Sequence, residues 1–271
     1  MKVSIIVPLY NQLAFTKGCL ASIRATVPED VEIILIDNAS SDGTAEYLAT
    51  LAGVVVVANR QNLGFAGACN QGIRAAAGEW IVVMNNDVLL SPGWLDGLLD
   101  AARRWDLQMV SPAIREGELN YDIESYGRQF TSRMRDIIRR GRANGICFMA
   151  HRHVFDSIGL FDENFRIGQY EDKDLFLRAS QAGFRLGTVG GAFLHHFGSV
   201  TQNALVKARE PKPYALENKA YFIRKWKLPW WKRAAVRNWN KLVNWLHSRK
   251  ERLLHRHTLV EKWIAGRLRY F

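Results

Sequence analysis

Nowhere in these 271 residues does an apolar run approach the roughly 18 to 20 residues needed to span a membrane as a helix. Cysteine is scarce as well. Cys19, Cys69 and Cys147 are far apart, odd in number and match no metal-ligand spacing. That excludes a disulfide scaffold or a zinc site and suits buried thiols of a reducing compartment. No Gly-x-Gly-x-x-Gly follows the first apolar run, and no Gly-Lys-Ser/Thr occurs anywhere. Both absences argue against a dinucleotide oxidoreductase and a P-loop NTPase. The opening Met1-Lys2-Val3-Ser4-Ile5-Ile6-Val7-Pro8 is too short for a secretory core and lacks a cleavage site, so it reads as a first strand. The expected location is the cytoplasm.

What is present is 48% hydrophobic residues, enough to bury a sizeable core, and a net charge of +11 that is unevenly spread. Residues 205–271 carry 18 Lys/Arg against 4 Asp/Glu, whereas residues 1–204 carry 19 against 22. Six of the nine tryptophans (Trp226, Trp230, Trp231, Trp239, Trp245 and Trp263) lie in the basic part. The expected organisation is therefore a mildly acidic globular domain, 1–204, and a basic, Trp-rich helical extension, 205–271. Such asymmetry points to a membrane surface or nucleic acid as partner of the extension.

Ile81 to Met84 form a short continuous apolar run, the pattern of a strand buried on both faces. It finishes in Asn85-Asn86-Asp87, which is either an Asx-turn or a set of amides and a carboxylate held out to a ligand. Upstream, Val3–Val7, Val31–Ile36 and Val54–Val57 read as strands, alternating with helical patterns over Thr16–Thr26, Thr44–Leu51 and Gly64–Ala77. Ser41 or Asp42 is placed to cap the second helix. Strands alternating with helices imply a parallel sheet covered on both faces. Ligands of such sheets gather outside the carboxyl ends of the strands, where Tyr10, Asn11, Asp37, Asn38, Asn62 and Asp87 would collect.

The runs Val-Pro-Leu-Tyr-Asn (7–11), Ile-Asp-Asn-Ala-Ser-Ser-Asp-Gly-Thr (36–44), Asn-Leu-Gly-Phe-Ala-Gly-Ala-Cys-Asn-Gln-Gly (62–72) and Asn-Asn-Asp (85–87) together resemble family 2 glycosyltransferases. The resemblance covers about residues 1 to 204. It is nearest to bacterial rhamnosyltransferase-like enzymes of surface-polysaccharide assembly. It implies a GT-A-type, Rossmann-like α/β fold and a nucleotide-diphosphate-sugar donor. It further implies that Asp87 binds a divalent cation, Mn²⁺ or Mg²⁺, and that Asp37 reads the base. The Pro8–Asn11 backbone, with Tyr10, would cradle the nucleoside beside Asn62 and Gly67. The chain departs from the family's Asp-x-Asp by having Asn85 first; with Asn86 it offers amides to the donor and removes one negative charge near the cation.

Tyr170-Glu171-Asp172-Lys173-Asp174 looks like the family's Glu-Asp motif, which makes Asp172 the base for an acceptor hydroxyl. The bland alternative is a helix N-terminus with acids complementing its dipole. The family also places a histidine after the last strand to complete the metal site, and His195 and His196 both stand there; alternation favours His196 without settling the choice. Six arginines between Arg128 and Arg142 read either as a solvated excursion or as a basic lid. In the second case Arg139 and Arg140, with Glu171, would touch diphosphate or acceptor.

In the extension, Trp231, Ala235, Trp239, Leu242 and Leu246 form one helical stripe with Arg233, Arg237 and Lys241 roughly opposite. Residues 229–246 thus suit either an anionic membrane surface or packing on protein. The expected function is inverting, metal-dependent sugar transfer to a glycan or lipid-linked acceptor at the inner membrane face, without nucleic acid. The competing expectation is a catalytically degenerate GT-A domain that only binds. Donor sugar, linkage and oligomeric state are not legible.

Overall fold

The computed structural model describes residues 2–198 and 213–271. Its first half is the expected alternation: β1 (Val3–Leu9), α1 (Leu13–Thr26), β2 (Glu32–Asp37), α2 (Thr44–Ala49), β3 (Val55–Ala58), α3 (Gly64–Ala75) and β4 (Trp80–Met84). These four strands are parallel, in the order β3-β2-β1-β4. Every residue of β4 is buried. Val82 and Met84 pack with Cys19, Leu20 and Ile23 of α1 on one face. Ile81 and Val83 pack with Ala66, Cys69 and Ile73 of α3 on the other. Each large apolar side chain buried this way contributes about 1.5–3 kcal/mol. The small residues of α3 have a reason. A Cβ on Gly72 would lie 2.3 Å from Ile6 Cγ2, so only glycine lets the helix sit this close to β1.

Beyond β4 the sheet becomes mixed. The chain continues through β5 (Val88–Leu90), α4 (Trp94–Trp105), β6 (Met109–Glu116), α5 (Ile123–Met134), β7 (Ile138–Arg140), β8 (Cys147–His151), α6 (Arg152–Ile158), α7 (Glu171–Gln181) and β9 (Leu186–His196). β8 lies antiparallel between β4 and β6. β9 runs parallel to β6 and antiparallel to β5 and β7. Val110-Ser111-Pro112 reads in the sequence as a strand that ends early, yet β6 runs on to Glu116. Pro112 lacks an N–H, and it is accommodated where the register against β9 slips between Pro112 and Ala113. Asp42 does serve the start of α2, accepting from Thr44 N at 3.2 Å and Thr44 Oγ1 at 2.6 Å.

The extension contains the expected helices, α8 (Pro213–Lys225) and α9 (Trp230–His255), but it ends in two strands, β10 (Val260–Ile264) and β11 (Arg267–Tyr270). β10 adds to β6 in parallel, Val260–Lys262 against Ile114–Glu116, and β11 closes that edge. Leu259 is buried with Phe130, Met134 and Phe193. The domain boundary expected between 204 and 205 falls outside the described residues, and the terminal strands belong to the main sheet.

The Arg-rich stretch is neither a solvated excursion nor a basic lid throughout. It forms the end of α5 and β7. Arg139, expected near a diphosphate, is 5% exposed. Its Nε and Nη2 donate to Glu251 of α9 at 2.8 and 2.7 Å, and Nη2 also donates to the carbonyl of Phe271 at 2.8 Å. A guanidinium this deep needs a fork-shaped partner, and Glu251 supplies it. Arg140 is exposed on the same strand. Breaking the buried pair with Glu251→Ala leaves Arg139 uncompensated and should cost about 3–5 kcal/mol of stability. Arg139→Met with Glu251→Leu should recover most of that in urea unfolding, and a wild-type midpoint for the single variant would refute the pair's role.

Candidate active site

The carboxyl ends of β1, β2 and β4 open into a cavity of about 560 Å³. That is within the size range of small-molecule sites. Pro8, Tyr10, Asn38, Asn62, Asn85, Asn86 and Asp87 line it from the parallel half. Gly145, Glu171, Asp172 and His196 line it from the mixed half. The two carboxylates singled out in the sequence, Asp87 and Asp172, therefore share one cavity although 85 positions separate them.

Several expected residues sit elsewhere. Asn11, Asp37 and Gly67 do not line the cavity. Asn11 Oδ1 accepts from Ser41 N at 2.7 Å, and its backbone N–H donates to Ser40 Oγ at 2.8 Å. Asp37 Oδ1 accepts from Ser40 N at 3.0 Å. The Asn11 bonds fasten the loop after β1 to the loop after β2, and the Asp37 bond closes the turn within the second loop. Gly67 lies inside α3, where an added Cβ would meet Leu63 Cβ at 3.0 Å. The residue that organises this rim is Asn38, at 4% exposure. Its Nδ2 donates to Asn62 Oδ1 at 2.7 Å and Gly64 O at 3.2 Å, and its Oδ1 accepts from Leu63 N at 2.9 Å. Asn86 is anchored too, donating to Thr16 Oγ1 at 3.0 Å.

The two histidines separate by strand alternation. His195 turns away from the cavity, is fully buried, and meets Tyr121 Oη through Nδ1 at 2.8 Å. Burial lowers its pKa to about 4, which keeps the ring neutral. His195 is thus a packed core histidine, not a cavity group. His196 faces in, with Nε2 3.3 Å from Asp87 Oδ1 and Nδ1 3.6 Å from Glu116 Oε2. Burial works against a charged ring there, but the flanking carboxylates override it and push its pKa up to about 9. Glu116 is held down to about 2, chiefly by His196, and Lys262 of β10 adds a contact at 2.9 Å. Neither Glu116 nor Lys262 carried a sequence signal, since their meeting depends on β10 pairing with β6.

A carboxylate oxygen beside an imidazole nitrogen suits Mn²⁺. Among the described residues, however, no three His, Cys, Asp or Glu side chains group to hold a metal. Asp87 and His196 would suit a cation shared with a substrate once the ring has given up its proton, with phosphate oxygens and water filling the remaining positions.

Asp172 sits in the first turn of α7, half-buried, with Oδ1 accepting from Lys173 N at 2.8 Å. Gly145 makes room for it: a Cβ there would lie 2.5 Å from Asp172 Oδ2. Burial raises the pKa of Asp172. Glu171, at 6% exposure, is pushed up to about 7 by burial and then by the neighbouring Asp172 charge. Two adjacent carboxyls with raised pKa values in a cavity are candidates for acid–base chemistry. Tyr170 precedes them in the left-handed region at φ 77°, and Tyr214 of α8 reaches the same cavity.

Residues 4–159 match the family model described as glycosyl transferase family 2. The chain is 29% identical over 218 residues to the N-acetylglucosaminyl-diphospho-decaprenol L-rhamnosyltransferase of Mycobacterium tuberculosis, covering 65% of this chain and 70% of that protein. Its fold resembles GalNAc-T7, crystallised with UDP, GalNAc and Mn²⁺, at a TM-score of 0.59 and 17% identity over 72% of this chain. It also resembles S. aureus TarS 1-349 in complex with UDP-GlcNAc, at a TM-score of 0.56 and 16% identity over 74% of this chain. The chain spans 44% and 61% of those two solved chains, less than two thirds of either.

The raised Glu171 pKa has a stability consequence. The folded carboxyl, at about 7, holds its proton more tightly than an unfolded one at 4.5. Folding therefore binds a proton, and stability is lost as pH climbs from about 4.5 through 7. Glu171→Gln removes that slope, so the variant should gain on wild type by about 3 kcal/mol between pH 4.5 and pH 8 in urea unfolding. Parallel pH profiles for the two proteins would contradict the burial of an ionisable Glu171.

Proposed function

Residues 4–159 place this chain in glycosyl transferase family 2, and from that premise we propose that it is an inverting glycosyltransferase. It would move a sugar from a nucleotide-diphosphate donor to a hydroxyl of a glycan or lipid-linked acceptor in surface-polysaccharide assembly. The observation that carries the reading is the shared cavity of Asp87 and Asp172, at the carboxyl ends of the strands. The rhamnosyltransferase relative, named for a decaprenol-linked substrate, supports a lipid-linked acceptor.

The nucleoside would lie against Pro8 and Tyr10 beside Asn62, while Asp37, bonded to Ser40 N outside the cavity lining, would shape the loop next to it. Asn85 and Asn86 would donate amide N–H groups to ribose and phosphate oxygens. A bound divalent cation, held by Asp87 and His196, would offset charge on the diphosphate. The acceptor hydroxyl would give its proton to Asp172 as its oxygen bonds the anomeric carbon. The bond from that carbon to the diphosphate breaks in the same displacement, and the nucleoside diphosphate leaves with the electron pair. Glu171, buried beside the base and holding a proton near neutrality, would hydrogen-bond a sugar or acceptor hydroxyl.

The peripheral site is α9. Asn240 and Asn244 accept from Arg142, and Glu251 accepts from Arg139, so the helix rests on the domain by a polar side. The apolar stripe is left outward, with Trp231 54%, Trp239 66%, Leu242 49% and Leu246 51% exposed. Among the described residues no helix is long and apolar enough to cross a membrane. We read the stripe as lying in the headgroup region of an anionic membrane. Tryptophan fills the interface there, and each nearby Lys or Arg contributes about 1 kcal/mol.

A panel of nucleotide sugars, scored for Mn²⁺-dependent thermal stabilisation and then for transfer, tests the reading. One donor should raise the midpoint and support turnover. Asp172→Asn should lower kcat by about 10²- to 10⁴-fold with donor binding near normal, and retained turnover would remove Asp172 from the chemistry. Binding without transfer to any acceptor would favour a degenerate binding domain. For the helix, Trp231→Ala with Trp239→Ala in the full chain should abolish co-flotation with phosphatidylserine vesicles. Undiminished flotation would end the membrane role of the stripe.

A further inference from the structure

The segment leading into α7 is unusual in its backbone. Ile167, Gln169 and Tyr170 all have positive φ, at 60°, 78° and 77°. None is glycine, and a β-branched isoleucine and a bulky tyrosine do not adopt that region unless the surroundings impose it. Two residues after Tyr170 comes Asp172.

Two elements impose it. On one side, Phe65 N at the start of α3 donates to Ile167 O at 2.7 Å. Gly64, whose Cβ would lie 3.0 Å from Ile167 N, lets the loop come that near. On the other side stands Asn218 of α8, 1% exposed. Its Nδ2 donates to the carbonyls of Arg166 at 2.9 Å, Gly168 at 2.9 Å and Gln169 at 3.1 Å, and its Oδ1 accepts from Arg166 N at 3.0 Å. One amide thus gathers three carbonyls that would otherwise repel one another. The same face of α8, and the residue just past its end, continue the grip. Phe222 packs on Tyr170 at 5.5 Å between ring centroids, and Trp226 Nε1 donates to Asp174 Oδ1 at 3.0 Å.

We infer that Asn218 is a positioning residue for sugar transfer: by fixing the carbonyls of Arg166, Gly168 and Gln169 it holds the left-handed turn that aims the Asp172 carboxylate into the cavity. This rests on the reading of Asp172 as the base. Asn218 acts through the loop and touches neither donor nor acceptor. Its loss should therefore affect the step that needs alignment more than donor affinity. A displacement of about 1 Å at a reacting group costs up to about a hundredfold in rate.

The test uses the full chain and the donor selected by the nucleotide-sugar panel. Asn218→Asp keeps the acceptor for Arg166 N and deletes the donors to the three carbonyls. It should lower kcat by about ten- to a hundredfold, leave donor KM within about threefold, and speed amide exchange across residues 166–172 at least about tenfold. Phe222→Leu loosens the same turn through Tyr170 and should shift kcat and exchange the same way by smaller factors, and it serves where Asn218→Asp fails to fold. Wild-type kcat and exchange in the folded variants, or a change confined to KM, would overturn the positioning role while wild-type transfer stands. A wild-type chain that transfers no sugar would instead bring down the reading of Asp172, and the positioning role with it.

Discussion

A strand sealed on both faces leaves its polar side chains nowhere to go but its ends, and this constraint organises the site. β4 is buried along its whole length, so Asn85, Asn86 and Asp87 come only where the strand leaves the sheet. The parallel register then does the gathering, with Leu9 opposite Asp37 and Ile6 opposite Val83. Pro8, Tyr10, Asn38 and Asn85 consequently reach the same rim from three strands. Not every polar residue at that rim faces a ligand. Asn38, Asn11 and Asp37 spend hydrogen bonds on the loops themselves, which is what keeps the exposed ends rigid enough to present the others.

The extension is bound into this arrangement at three places. β10 adds to β6 and brings Lys262 to Glu116, whose other oxygen faces His196. α9 docks through the buried Arg139–Glu251 pair. α8 straps the turn before Asp172 through Asn218. A segment that differs from the rest in charge and tryptophan content thereby completes the mixed half of the sheet and adds Tyr214 to the cavity lining. The polar docking of α9 also explains why its apolar stripe remains outward: the face that meets the domain is supplied with asparagine and glutamate, not leucine.

The parallel half was legible because its signals are local. Short apolar runs ending in polar clusters gave β1, β2, β3 and β4 and the direction in which Asp87 points, and the Glu-Asp pair gave the start of α7. The mixed half was less so. Pro112 argued for a strand end, and only a register slip against β9 lets β6 continue. The arginines between Arg128 and Arg142 looked alike in the sequence, yet Arg139 is buried against Glu251 while Arg140, one residue on, is exposed. His195 and His196 could be assigned to opposite faces with His196 favoured, but only the register of β9 fixed which of them lines the cavity.

The sequence by itself determined the four strands of the parallel half, their polar ends, and which carboxylates resemble a sugar-transfer motif, because periodicity and short motifs need no distant partner. Tertiary structure alone decided that Asp87 and Asp172 line one cavity, that His196 and not His195 lines it with them, and that Asn218 bonds the turn before Asp172. Those facts depend on pairings between residues up to about 150 positions apart, such as Lys262 with Glu116, and a chain carries no local record of contacts that exist only once the sheet has closed.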